Sequence, residues 1–118
     1  MRLAPYDKKM LTHRAEWYPK HLLGGNDVKY ELNFVRIQQS PIGAWDQTGS
    51  QETNYDNYRM IYDCVRSTGL PEGMRFAVGD TIKITRGPIW PVVMSITQVV
   101  PKPDLDGIHT HHYEIYMR

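Results

Sequence analysis

Short apolar and polar alternations separated by turn residues run the length of this chain, and long helical periodicity appears nowhere. Leu11, His13, Ala15 and Trp17 fall on one parity, with Thr12, Arg14, Glu16 and Tyr18 on the other. After a polar turn region, Pro19 to Asp27, Val28, Tyr30, Leu32 and Phe34 alternate with Lys29, Glu31 and Asn33. Side chains of an extended chain point to opposite faces with a period of two, so each stretch reads as a half-buried strand, and the pair as a hairpin. From Phe34 to Ile37 the alternation breaks, which fits either a strand buried on both faces or a bulge that moves the side-chain register.

Further strands are expected at 58–65, on either side of Gly79-Asp80, at 81–85, at 89–100 and at 108–117, with Pro91 restricting how one of them begins. Between them lie turn-rich stretches at 66–73, with a short helical turn expected at Pro71, at 86–88 and at 101–107. Six or seven short strands in one all-β domain spanning 1–118 suggest a small barrel, because closure removes the edges that invite aggregation. A two-sheet sandwich is the alternative.

With 14 Lys and Arg against 13 Asp and Glu, the net charge of +1 gives no global field toward nucleic acid or an anionic membrane. Any such binding has to be local. The single cysteine, Cys64, expected as a half-buried strand thiol, excludes an internal disulfide and suits a reducing cytoplasm. Residues 1–10 are interrupted by Pro5 and Asp7 and do not read as a signal peptide. No apolar run approaches the roughly 20 residues that cross a bilayer as a helix, so a soluble protein without a membrane partner is expected.

Gln39 to Asn57 has almost no periodicity and is rich in Gly, Ser, Asn, Asp and Gln. Loops beyond about 12–15 residues are uncommon in compact domains and usually functional or disordered. Asp46, Glu52 and Asp56 occur there with no Lys or Arg, a net charge of −3, so the loop repels phosphate. Trp45 stands in this polar loop either as a partner contact or as an anchor of the loop itself.

Phosphate loops, nucleophile elbows, dinucleotide fingerprints and His-Glu-x-x-His words are all absent, and no enzyme or cofactor is expected. His109, His111 and His112 are the constellation to weigh, since His109 and His111 two apart on a strand share a face and could hold a metal with Asp106 or Asp63. A packed, hydrogen-bonded histidine with its neighbours on a wet face is the simpler account, so no metal is expected; His13 reads as a strand residue. Trp17, Trp45, Trp90 and eight tyrosines could form a base-stacking surface, and core packing explains them more simply. Gly79-Asp80 reads as a tight turn before a strand.

Five words occur in an order that resembles the minor capsid, or head-completion, proteins of long-tailed bacteriophages. They are Pro5 with Lys8-Lys-Met-Leu-Thr-His13; Phe34-Val-Arg-Ile-Gln38; Met60-Ile-Tyr-Asp63 with Ser67; Phe76-Ala-Val-Gly-Asp-Thr-Ile82; and His111-His-Tyr-Glu-Ile115. The resemblance covers nearly the whole chain. It departs from the family pattern at Arg86 to Pro91, where a Gly-x-x-Tyr-x-Val hairpin is expected, and at Lys102 to Gly107. The resemblance implies a virion head-tail junction protein assembled in the bacterial cytoplasm. Such a head-closure (stopper) protein forms a ring on itself below the portal and adaptor, retains the packaged DNA close to it, and receives a tail-completion or tail-terminator protein. Free subunits can be monomeric. By position, the loop of 39–57 matches the channel-closing loop, with Ile42, Trp45, Asp46, Gln47, Glu52, Tyr55 and Asp56 as its candidate residues. A neighbouring connector or tail-joining role, and more remotely a small nucleic-acid-binding barrel, are the alternatives.

Overall fold

A computed structural model describes residues 3–20, 28–39, 58–87 and 92–118. After a 3-10 turn at Lys8–Met10 come β1 (His13–Tyr18), β2 (Tyr30–Gln39), β3 (Tyr58–Asp63), β4 (Thr81–Arg86), β5 (Val92–Pro103) and β6 (Thr110–Met117). All pairings are antiparallel, and the strands close into a barrel in the order β1-β2-β3-β6-β5-β4. Closure is made where β1 meets both β2 and β4, with Trp17 opposite Tyr30 on one side and Ile82 on the other. The sandwich alternative therefore falls. No strand forms just before Gly79, where Phe76 turns inward instead.

Alternation places the core as the sequence implies. Ala15, Trp17, Leu32, Ile37, Met60, Tyr62, Ile82, Ile84, Ile96 and Ile115 fill the interior. The break in β2 is a bulge: Arg14 pairs with Asn33 while His13 pairs with Val35, so two β2 residues span one step of β1. Phe34, the extra residue, has φ 58 and turns outward, which lets Leu32, Val35 and Ile37 all face the core. Ser67 donates its hydroxyl to the Phe34 carbonyl, and Asn33 and Thr68 exchange main-chain bonds of 2.9 and 3.0 Å. A side chain at Gly69 (φ 118) would put its Cβ 2.1 Å from the Glu31 carbonyl oxygen, so glycine is required where the 64–80 segment docks on β2.

Strand directions give the barrel two different ends. The turn end carries the 64–80 segment and the 104–109 turn; the loop end is where β2 stops at Gln39, β3 starts at Tyr58, β4 finishes at Arg86 and β6 at Met117. At the turn end Phe76 packs against Trp17, Tyr62 and Tyr113, with ring centroids 4.8, 5.5 and 5.9 Å away. Burial of that ring is worth roughly 2–3 kcal/mol by area. The interior is a packed core closed by aromatics.

Several boundaries differ from expectation. β3 stops at Asp63, so Cys64 is an exposed residue beyond the strand and not a half-buried strand thiol. At Pro71 the chain makes one turn, closed by Met74 N–H to the Pro71 carbonyl at 3.1 Å, short of a helix. β5 continues through Pro101 and Pro103, expected as turn residues, because beyond Ile96 its outer edge pairs with no strand among the described residues and a missing N–H there leaves nothing unmet. β6 begins at Thr110, which leaves His109 in the turn.

Candidate functional site

The segment that the sequence singles out, with Ile42, Trp45, Asp46, Gln47, Glu52, Tyr55 and Asp56, lies outside the described residues, as does Trp90. Its two stems are described. Gln39 pairs with Tyr58 and Gln38 with Arg59, so the segment leaves and re-enters through a regular ladder at the loop end.

Around those stems the barrel is basic. Lys8 from the 3-10 turn lies 5.0 Å from the Phe34 ring centroid, a cation–π contact. Arg14 of β1 stands opposite Arg86 of β4 in the ladder. His13 accepts the Ile37 N–H at Nδ1, 2.8 Å away. Burial, and then the charges of Arg36 and Arg86, push the imidazole below its ordinary 6.5, and an Nδ1 that accepts leaves the ring N–H at Nε2. Among the described residues none of Lys8, Arg14, Arg36 or Arg86 forms an ion pair; those found are Lys29–Glu16, Arg59–Glu114, His109–Asp106 and His112–Glu114.

The turn end is built from carboxylates whose partners are main-chain N–H groups. Asp63, fully buried, accepts from Tyr6 at one oxygen and from Val65 and Arg66 at the other. Asp80, also fully buried, accepts from the Trp17 indole and the Ala77 N–H at Oδ2 and from the Lys20 N–H at Oδ1. Asp104 accepts from Leu3 and Leu105. These contacts strap residues 3–6 across the starts and ends of β5, β6 and β3, and the strap then passes β2 at Phe34 before becoming β1. Ile61, on the outward parity of β3, is only 6% exposed.

The histidines divide between these tasks. His109, in the turn and not on the strand with His111, caps Asp106 at 2.6 Å. The Asp106 carboxyl is held well below the usual range, first by the His109 main-chain N–H and then by its ring. His111 donates from Nε2 to the Ala4 carbonyl at 2.7 Å, its Nδ1 lies 2.8 Å from His112 Nδ1, and His112 Nε2 is 3.2 Å from Glu114. Burial alone would raise the Glu114 carboxyl, but hydrogen bonds from His112 and Tyr116 and the charges of Lys102 and Arg59 hold it low. His109 and His111 do not share a strand face, the arrangement the sequence left open for a metal, and Asp63 already accepts three main-chain N–H groups.

Trp17 is a core residue, 0% exposed, and not part of a stacking surface. The Asp80 role exceeds the simple turn read from Gly79-Asp80; a signal for it was the buried Trp17 indole, whose N–H needs an acceptor. No protein-family model, curated protein or solved structure matches this chain.

Proposed function

We propose that this chain is a head-closure protein of a long-tailed bacteriophage, forming a ring below the portal and adaptor that retains packaged DNA and offers the tail its docking site. The observation that carries this reading is the ordered set of five sequence words, from Lys8-Lys-Met-Leu-Thr-His13 to His111-His-Tyr-Glu-Ile115, spread over nearly the whole chain. Two further features support it. The barrel interior is filled by side chains, so an axial passage for DNA would lie between subunits of a ring and not within one. The acidic 39–57 stretch is anchored at both stems in a rigid ladder, which suits a segment that must obstruct DNA without adhering to it.

The test is electron microscopy of lysates from a phage in which this gene is disrupted, scoring full heads, empty heads and free tails. Empty expanded heads beside complete free tails are expected, since DNA is packaged and then lost. Full heads that merely lack tails would move the role to tail joining. Normal virions would overturn the reading.

A further inference from the structure

The loop end carries a positive cleft that the head-closure reading does not use. Its volume is about 300 Å³, and Lys8, Leu11, Thr12, His13, Arg14, Phe34 and Arg86 line it, contributed by the 3-10 turn and the residues after it, β1, the β2 bulge and the end of β4. Its charged groups are all cationic, an ammonium and two guanidinium groups, beside the Thr12 hydroxyl, which can donate, and an imidazole whose Nδ1 is already occupied by the Ile37 N–H. Arg14 and Arg86 are direct cross-strand partners, an arrangement of like charges that destabilises a sheet. Arg36 nearby has a buried Nε with no hydrogen-bond partner. Phe34 holds the left-handed conformation and is 39% exposed, which gives the cleft an apolar wall.

We infer that this cleft binds a carboxylate-bearing peptide segment of a protein partner, the acid groups meeting Arg14 and Arg86 and an adjoining side chain lying on Phe34. A guanidinium pair matches carboxylate geometry with two parallel N–H···O bonds each. Phosphate offers similar chemistry, but a nucleic-acid backbone repeats its charge about every 3.4 Å along each strand. On the adjoining outer face Arg14 and Arg86 share a second cleft with Glu16 and Glu31, which would repel a continued run of phosphates. A peptide can place one or two acids at the arginines and change character beyond them. The inference rests on these charges and the Phe34 wall, and holds whether or not the protein belongs to a virion.

The chain's own 39–57 stretch contains acids, so the test uses the full-length chain with Asp46→Asn, Glu52→Gln and Asp56→Asn, leaving no internal competitor from that stretch. The probe is a synthetic hexapeptide of four aspartates flanked by tryptophans, titrated calorimetrically at 50 mM salt, with a 20-base-pair DNA duplex titrated in parallel. Saturable peptide binding, weakened at least tenfold by Arg14→Gln with Arg86→Gln and several-fold by Phe34→Ser, is expected, with the DNA binding more weakly. Two results would overturn the inference: peptide affinity unchanged by the arginine substitutions or absent altogether, or duplex binding through the same arginines that is tighter than the peptide. Circular dichroism of each variant separates loss of binding from loss of fold.

Discussion

The two ends of the barrel handle charge in opposite ways. At the turn end, Asp63 and Asp80 are fully buried carboxylates, and main-chain and indole N–H groups from three or more segments converge on them. At the loop end, Lys8, Arg14, Arg36 and Arg86 gather with no carboxylate at ion-pair distance among the described residues, and two of them face each other across a ladder. One end is internally satisfied. The other carries a like-charge imbalance that costs the isolated subunit stability.

Replacing a turn-end carboxylate tests the first half of that contrast and should give the largest effect. Asp80→Ala deprives the buried Trp17 indole and two part-buried main-chain N–H groups of their acceptor, and Asp63→Ala releases Tyr6, Val65 and Arg66. Each is expected to lower stability by roughly 3 kcal/mol or more in urea denaturation. A change within about 0.5 kcal/mol in both would mean that the turn end is not held by its carboxylates. Gly69→Ala comes next: its Cβ would sit 2.1 Å from the Glu31 carbonyl oxygen in a left-handed backbone, and about 2 kcal/mol of destabilisation is expected. That loss should appear as earlier hydrogen exchange at Asn33 and Thr68, whose main-chain bonds Gly69 adjoins.

The loop end should respond with the opposite sign. Arg86→Gln removes one member of a like-charged cross-strand pair, and a gain of about 0.3–0.5 kcal/mol in the isolated protein is expected, measured by urea denaturation at low salt and shrinking as salt is raised. A loss of more than about 1 kcal/mol would show that Arg86 has a stabilising partner and would remove the imbalance on which the contrast depends.

Much of the fold was legible because period-two alternation reports directly on which face is buried. β1, the first half of β2, β4 and β6 follow from Ala15 and Trp17, Leu32, Ile82 and Ile84, and Ile115. Closure fitted the strand count, yet which strands meet does not: β3 next to β6 and β1 next to β4 are non-local pairings set by the whole core. Alternation at Phe34 could be read two ways because a bulge and a two-sided strand leave the same pattern, and the choice depended on His13 and Val35 meeting across the sheet. Pro101 and Pro103 misled because proline argues against a strand only where its N–H would be needed. The buried roles of Asp63 and Asp80 left little trace, since an aspartate before a turn looks the same whether it faces water or accepts three hydrogen bonds. The candidate loop residues from Ile42 to Asp56 fall outside the described structure, so the channel-closing role stands on sequence alone.

The smallest expected effect concerns protons at the loop end. Burial and the Arg36 and Arg86 charges depress the folded-state pKa of His13, so between its ordinary 6.5 and that lower value the unfolded chain binds a proton that the folded chain does not. Stability should therefore fall as pH is lowered through this window, starting near 6.5. The imidazole is partly exposed, so solvent screening keeps the contribution well under about 1 kcal/mol. His13→Gln, whose amide oxygen can still accept from Ile37, should flatten that part of the pH profile, and Arg86→Gln should shrink it without abolishing it, because burial remains the larger cause. If the slope below pH 6.5 survives His13→Gln unchanged, the proton is taken up elsewhere and this imidazole does not carry the effect. A slope that vanishes in both variants would instead mean that the arginine field outweighs burial, which would make the charge imbalance at this end larger than the cleft geometry implies.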